Sequence, residues 1–502
     1  MADVNKTESK EFTAYDLNAN GILAHIHIMD RGGFVPAYEV TVPGLGDATR
    51  ILITSLRQEL LRLVPIDTSK VSDQEYLKEL HKKYTDAASV VIDRYLPGTD
   101  RSIKDVLIAY IINLMLGLGD LEVMLADENL EEIAVNSAKE GIWVFHKDYG
   151  WCKSNLKMYD EEDIYDHADQ IGRRIGRQIT TLSPLMDAEL SDGSRVNATL
   201  YPISQGGNTI TIRKFSKNPW TMTALVANGT VSAEIASIVW LCIQNEISVL
   251  ISGGTASGKT SFLNAMSIFM PSNHRIISIE ETRELTLPNF LQWVPMLTRQ
   301  ANAEGKGEIS LYNLMINALR QRPDIILVGE IRTKWDAQTL FEAIHTGHAV
   351  YGTIHADNVQ DTVIRMTNPP IEVPKVMLNS MGGILSLFRH RRLGIRRVLE
   401  FGEITNSGDA NVLNRWNMRS DVFTRISNMT RLAEIIGLYG GYTFNEIVAD
   451  VAEKSSILNW MVANKITDVD NAGYIIAKYY KNKDDIVKLV KENAKYTPGM
   501  LK

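Results

Sequence analysis

Residues 253–260 read Gly253-Gly254-Thr255-Ala256-Ser257-Gly258-Lys259-Thr260, the full pattern G-x-x-x-x-G-K-T. Such a loop is a cradle for a chain of phosphates. Glycines allow a tight turn whose successive backbone N–H groups point at one anion, and a helix N-terminus adds partial positive charge. Lys259 would bridge the outer phosphates of a nucleoside triphosphate, Thr260 would hold Mg2+, and Ser261 follows on the same helix. The flanks agree: "ISVLIS" reads as a strand before the loop and "TSFLNAMSIF" as a helix after it.

Further residues could act on what the loop holds. "QRPDIILVGEIR" predicts an apolar strand, Ile325–Val328, ending in Gly329 and Glu330. A carboxylate at the tip of a neighbouring strand faces the phosphates in a parallel sheet, so Glu330 is expected to reach the metal through water. "IISIEETRELTLP" predicts a strand ending in Glu280, Glu281 and Glu284. Carboxylates that close together call for a cation, and Glu280 is a second candidate metal ligand. "HTGHAVYGTIHADN" carries His345, His348 and His355, of which His348 and His355 flank a strand and are candidates for contact with the terminal phosphate. Without cysteine or acidic ligands at suitable spacing, a zinc cluster there is disfavoured.

Taken in order, "GGTASGKT", "IEETREL", "RPDIILVGEIR" and "TGHAVYGTIHADN" resemble the Walker A, aspartate box, Walker B and histidine box of the secretion ATPases, the motors of type II secretion, type IV pili and the archaellum. The resemblance runs through roughly residues 100–490, with "LADENLEEIAVNS" and "LSDGSRVNATLYP" matching the region before the motor core. It implies ATP and Mg2+ as ligands, Glu284 as general base, Glu330 as the Walker B carboxylate and His355 beside the γ-phosphate. It also implies that Arg195 in "GSRVN" and Arg213 in "TIRKF" complete the site, in cis or from a neighbouring subunit. Gly329 stands where an aspartate is usual, and Glu281 departs from the family's Glu-Asp pair. The same resemblance implies a homo-oligomeric, hexameric ring working on a polytopic membrane platform protein, a cytoplasmic location at the inner membrane face, and contact with a phospholipid surface. The long N-terminal region, "RRVLEFGEI" and the helical tail look like the archaeal branch.

The elements that must position these residues predict an α/β fold: a RecA-like P-loop core, ring-forming by resemblance, with a preceding α/β domain. The expected division is 1–98 as a partner-binding region, 99–219 as an α/β domain abutting the ATP site, 220–229 as a hinge linker, 230–400 as the ATPase core and 401–502 as a mainly helical subdomain. Residues 1–20 read as a loosely ordered tail. "AELSDGSRVNATLYPI" and "NTITIRKF" read as a pair of strands around a glycine-rich loop.

The 502 residues carry a net charge of −7, 45% hydrophobic and 23% charged residues, the profile of a soluble globular chain. Cys152 and Cys242 are the only cysteines, too few for a disulfide framework or a four-cysteine zinc module. The most apolar run, Val106–Leu118, is short of the roughly 20 residues a spanning helix needs and predicts a buried helix. "RHRRLGIRR", Arg389–Arg397, is the one feature favouring a nucleic-acid translocase. Net acidity and the lack of interleaved aromatics argue against it. A nucleotide-gated scaffold is the other alternative, opposed by the intact Lys259, Thr260, Glu284 and Glu330.

Overall fold

The computed structural model describes residues 10–42, 46–65, 74–175, 177–190, 192–216, 218–301, 305–390 and 392–497. The chain divides after residue 217 into two compact units.

The first unit is built on a nine-stranded sheet. Its strands are β1 (Lys10–Ala19), β2 (Ile22–Asp30), β3 (Ala37–Thr41), β4 (Leu130–Val135), β5 (Trp143–His146), β6 (Gly150–Ser154), β7 (Leu185–Glu189), β8 (Arg195–Thr199) and β9 (Thr209–Arg213). They lie in the order β1-β2-β3-β6-β5-β4-β9-β8-β7, antiparallel except for β3 beside β6. The strands alternate, as a sheet covered on one face must. Ile26, Tyr38, Ile133, Val144, Val196 and Ile212 point into a core roofed by helices that include Gln74–Tyr95, Arg101–Leu116 and Glu161–Arg174. The apolar run Val106–Leu118 is thus mostly the buried helix expected, with Ile111 and Leu118 almost fully enclosed. Among the described residues no helix is long and apolar enough to cross a membrane.

Three expectations for this region differ from the structure. Of the expected tail, residues 10–19 form edge strand β1, and residues 1–9 lie outside the described residues. The segment reads as polar because one face is exposed, where Glu11 and Asp16 pair with His27 and His25. The expected boundary at residue 98 falls inside one sheet and one core, since β3 hydrogen-bonds to β6. The expected strand pair is three strands, because the chain turns through Asp192, Gly193 and Ser194 between β7 and β8.

The second unit holds another nine-stranded sheet: β10 (Val249–Gly253), β11 (Arg275–Glu280), β12 (Gln292–Leu297), β13 (Ile325–Ile331), β14 (Ala349–Ile354), β15 (Gly383–His390), β16 (Ile395–Ile404), β17 (Ala410–Asn417) and β18 (Val422–Arg425). The order is β12-β11-β13-β14-β10-β15-β16-β17-β18, parallel from β12 to β15 and antiparallel beyond. This is a RecA-like P-loop core in which β14 separates the phosphate-loop strand from β13. Both faces of the parallel part are covered, so its strands are continuously apolar. Val249, Ile251, Leu327 and Tyr351 face one core, and Leu250, Ile326, Val328 and Val350 the other.

The expected C-terminal helical subdomain has no core of its own. Its first strands belong to this sheet. Its helices, Arg431–Gly440, Phe444–Ala463, Val469–Lys481 and Lys483–Lys491, pack Leu432, Leu458, Ile475 and Ile486 into the cluster around Trp240 and Phe269. Trp240 and Phe269 themselves stack at 5.1 Å. Most of the expected linker 220–229 is a helix, Met222–Ala227, because its turn-forming residues serve as caps: Thr221 accepts the N–H of Ala224. The hydroxyls of Thr221 and Thr223 also donate to the carbonyls of Thr467 and Ile466, tying the segment into the second unit.

Candidate nucleotide site

Strand β10 delivers the loop at the C-terminal edge of the parallel sheet, where ligands of such sheets bind. Two glycines are demanded by geometry. A Cβ on Gly253 would stand 2.7 Å from the carbonyl oxygen of Leu387, and Gly258 has φ +97° at the start of the helix Lys259–Ala265. Between them Ala256 also adopts a left-handed conformation, φ 58°. The turn is completed by Ser257, which is buried and whose Oγ has no protein partner. Thr255, Ala256 and Ser261 are exposed, and Gly254 and Thr260 half-buried.

Lys259 folds back over the loop, its Nζ donating to the carbonyls of Gly253 at 3.0 Å and Gly254 at 3.2 Å. Burial pushes the ammonium below its ordinary pKa, and the charges of Glu330 and Glu284 oppose that shift. The lysine therefore lies within electrostatic reach of both candidate carboxylates.

Glu330 is placed by a bulge. β13 and β14 pair at Val328–Gly352 and again at Ile331–Ile354, so two residues of β13 oppose one of β14. Such an insertion bends the strand and re-aims its side chains, and here the bulged residues are Gly329 and Glu330. Glu330 accordingly sits within β13 rather than just past its end. Gly329 lies against the backbone of β11, where a Cβ would meet the Cα of Glu280 at 3.4 Å.

Glu280 is 1% exposed. Its Oε1 accepts the backbone N–H of Glu284 at 2.9 Å and of Leu285 at 3.0 Å, while Oε2 is buried without a protein partner. Burial raises its pKa to about 7, against the lowering effect of the two N–H groups. The last strand residue therefore shapes the turn that presents Glu284.

His355 follows β14, and its Nε2 lies 3.2 Å from the Oγ1 of Thr255 in the loop. His348 belongs elsewhere: it precedes β14, at the opposite edge of the sheet, with Nδ1 beside Thr346 Oγ1 and the Ala343 carbonyl. Arg195 and Arg213 lie in the first unit. They face each other across β8 and β9, with Arg195 forming a two-pronged pair to Asp187 at 2.9 and 2.6 Å.

Three residues escaped the reading of the sequence. Arg332 binds both Glu330 and Glu281. Arg396, in β16, donates from Nε to the Ala256 carbonyl at 3.1 Å. Asp357 follows His355 and approaches the loop, its Oδ1 being 3.6 Å from where a Cβ on Gly254 would stand. For Arg332 and Asp357 the available signal was a charged residue two positions after Glu330 and His355; Arg396 stands in the basic stretch Arg389–Arg397, 140 positions from the loop, with no local signal toward it. Of the basic stretch, Arg391 lies outside the described residues, and Arg397 is occupied by Asp421.

Comparison with known proteins decides the lineage. The model of the type II/IV secretion system protein family matches residues 125–395, more than half of the chain. The uncharacterized protein MJ0900 of Methanocaldococcus jannaschii is 31% identical over 485 residues, covering 91% of this chain and 87% of that one. The chain belongs to the type II/IV secretion system protein family. Within that family, the type IV secretion system protein PtlH of Bordetella pertussis is 27% identical over 49% of this chain and 78% of its own. Among solved structures, the Legionella pneumophila ATPase DotB aligns with 19% identity and a TM-score of 0.41, covering 76% of this chain and 96% of that one. In this secretion-family chain, the loop, Glu280, Glu284, Glu330 and His355 converge on one edge of one sheet.

The donor set fits a hard divalent cation. Hydroxyl and carboxylate oxygens surround the loop, and a buried Glu280 oxygen lacks a protein partner. Among the described residues no group of three or more His, Cys, Asp or Glu forms a cage for a metal. Mg2+ takes one or two protein ligands together with phosphate and water.

Proposed function

We propose that this chain is a Mg2+-dependent ATPase, the motor of a secretion or type IV pilus-like filament system. The observation that carries the reading is the convergence of the Gly253–Thr260 cradle with Glu284 and Glu330, presented by the tips of β11 and β13. In it the backbone N–H groups of 254–260 bind the phosphate chain. Lys259 leaves the carbonyls of Gly253 and Gly254 for the β- and γ-phosphates, exchanging two neutral acceptors for charged ones. Thr260 and Glu330 would hold the metal, with Glu280 behind them, and a Mg2+ ion there would supply positive charge against that developing on the phosphates. Glu284 takes the proton of the attacking water, and His355 stands by Thr255 to sense the γ-phosphate. By the family resemblance, Arg195 and Arg213 are the candidates for spreading the transition-state charge, in cis or across a subunit boundary.

The wider reading follows the family. The chain works as a homo-oligomeric ring, a hexamer, on a polytopic membrane platform protein at the cytoplasmic membrane face, in an archaeal filament or secretion system. A nucleic-acid translocase loses support because Arg396 and Arg397 are engaged within their own unit. The test is steady-state ATP hydrolysis by the full chain and by Glu330→Gln. The variant is expected to lose about 10²-fold or more in kcat, and the wild type to be stimulated by phospholipid vesicles rather than by DNA. Full activity in Glu330→Gln overturns the site, and salt-sensitive stimulation by DNA alone overturns the motor reading.

A further inference from the structure

Arg332 is the least expected member of the site. It stands two residues after Glu330, one position beyond the end of β13, with its guanidinium turned onto the Glu330 carboxylate. Its Nε and Nη2 both reach the Glu330 Oε2, at 2.9 and 2.6 Å. Its Nη1 reaches both oxygens of Glu281, at 2.9 and 2.7 Å. Glu281 lies one residue beyond β11, the strand hydrogen-bonded to β13. One guanidinium thus joins two strand tips and two carboxylates. Burial opposes its charge, but the pairs with Glu330 and Glu281 outweigh this and hold its pKa above the ordinary arginine value.

Magnesium and Arg332 would want the same carboxylate. A guanidinium is always charged, and Glu330 is spoken for wherever Arg332 sits on it. The ion pairs are also partly wet: the side chains of Arg332, Glu281 and Glu330 are 56%, 43% and 25% exposed. Ion pairs at such exposure are weak and exchangeable. A divalent cation anchored by phosphates is a far stronger partner for Glu330.

We propose that Arg332 is a displaceable counter-ion that positions Glu330 before the metal arrives and is held on Glu281 once Glu330 turns to the metal. The proposal rests on the nucleotide–Mg2+ reading above and deepens it by giving Glu281 a role. Glu281 does not ligate; it receives the arginine, so that Arg332 keeps a charged partner as Glu330 lets go. Without Glu281, Glu330 is the carboxylate left to Arg332, and the metal must compete harder. Without Arg332, the metal competes with nothing.

The quantity that reads this is the metal coupling of nucleotide binding, the ratio of the ADP dissociation constant in EDTA to that in Mg2+. It is measured by fluorescence of a labelled ADP on the full chain, with no turnover involved. Arg332→Gln is expected to raise the ratio about two- to fivefold, the equivalent of one partly exposed ion pair no longer displaced. Glu281→Gln is expected to lower it, and Arg332→Lys, which keeps the charge without the fork, to fall between Arg332→Gln and wild type. Lys334→Gln is the control for a general change of field: Lys334 pairs with Glu372 at 2.9 Å and not with Glu330, so its ratio should stay at the wild-type value.

If Arg332→Gln and Glu281→Gln leave the ratio unchanged while lowering the unfolding midpoint, Arg332 is only a cross-link between strands and the proposal is overturned. An equal shift in Lys334→Gln overturns it too. Failure of the wild type to bind ADP at all is a different result, and strikes the nucleotide reading rather than Arg332.

Discussion

The Oε1 of Glu280 accepts the backbone N–H of Glu284 at 2.9 Å, so a carboxylate at the end of β11 sets the position of the carboxylate assigned as general base. Because the second oxygen of Glu280 is also buried, the side chain cannot swing away without abandoning both bonds it makes to the turn. Glu280→Ala should therefore lower the kcat of ATP hydrolysis by about 10²-fold, the cost of a misplacement near 1 Å. ADP affinity should change little, because the loop around Lys259 is untouched. Glu280→Gln keeps an oxygen acceptor and should retain more of the rate. Parallel steady-state kinetics and ADP titration distinguish these outcomes.

Burial of the same residue makes nucleotide-free stability depend on pH. Glu280 has a folded pKa of about 7 against an ordinary 4.5, so the folded chain holds this proton over a range in which the unfolded chain has released it. Its contribution is fully present below the unfolded value and is lost as pH rises through the folded one. Across that window the loss amounts to about 3 kcal/mol for this group alone. Urea unfolding at pH 5 and pH 8 should show a smaller fall for Glu280→Gln than for the wild type.

Arg396 ties β16 to the loop through the Ala256 carbonyl, 140 positions away in the chain. Its loss leaves the left-handed Ala256 without that support. A hydrogen bond from a charged donor contributes about 1.5 kcal/mol, so Arg396→Ala should weaken ADP binding about tenfold. Unchanged affinity would mean that the contact does not shape the loop.

What could be read from the chain divides along a physical line. The phosphate loop, the apolar strand Ile325–Val328 and the acidic turn after Glu280 are local patterns, each set by residues within a few positions of one another. The parallel core around them follows from apolar runs covered on both faces. Arg332, Arg396 and Asp357 were missed because their roles depend on which strands are neighbours. The pairing of β11 with β13 brings Glu281 to Arg332, and the return of β16 beside β15 brings Arg396 over the loop. Residues 10–19 were misread for a related reason. An edge strand with one wet face carries Glu11, Asp16 and other polar residues that look like a tail until β2 is placed beside it.

Lys454 tests how the C-terminal helices are held to the core. It is fully buried between the rings of Trp240 and Tyr479, 5.2 Å from each centroid, and pairs with Asp450. Burial lowers its pKa, with the charge of Asp450 opposing the shift. Removing one partner of such a pair strands the other, at a cost of about 3–5 kcal/mol. Lys454→Ala should lose stability on that scale in urea unfolding; a loss below 1 kcal/mol, by the same principle, would mean that Asp450 is satisfied by Lys483 alone.

The most direct measurement is phosphate release from ATP by the purified full chain in Mg2+, compared between the wild type and Lys259→Ala. Turnover is expected in the wild type, with its loss on chelating the metal and none above background in the variant. Equal release by both proteins, or a wild type that neither binds nor hydrolyses ATP, would contradict the ATPase reading.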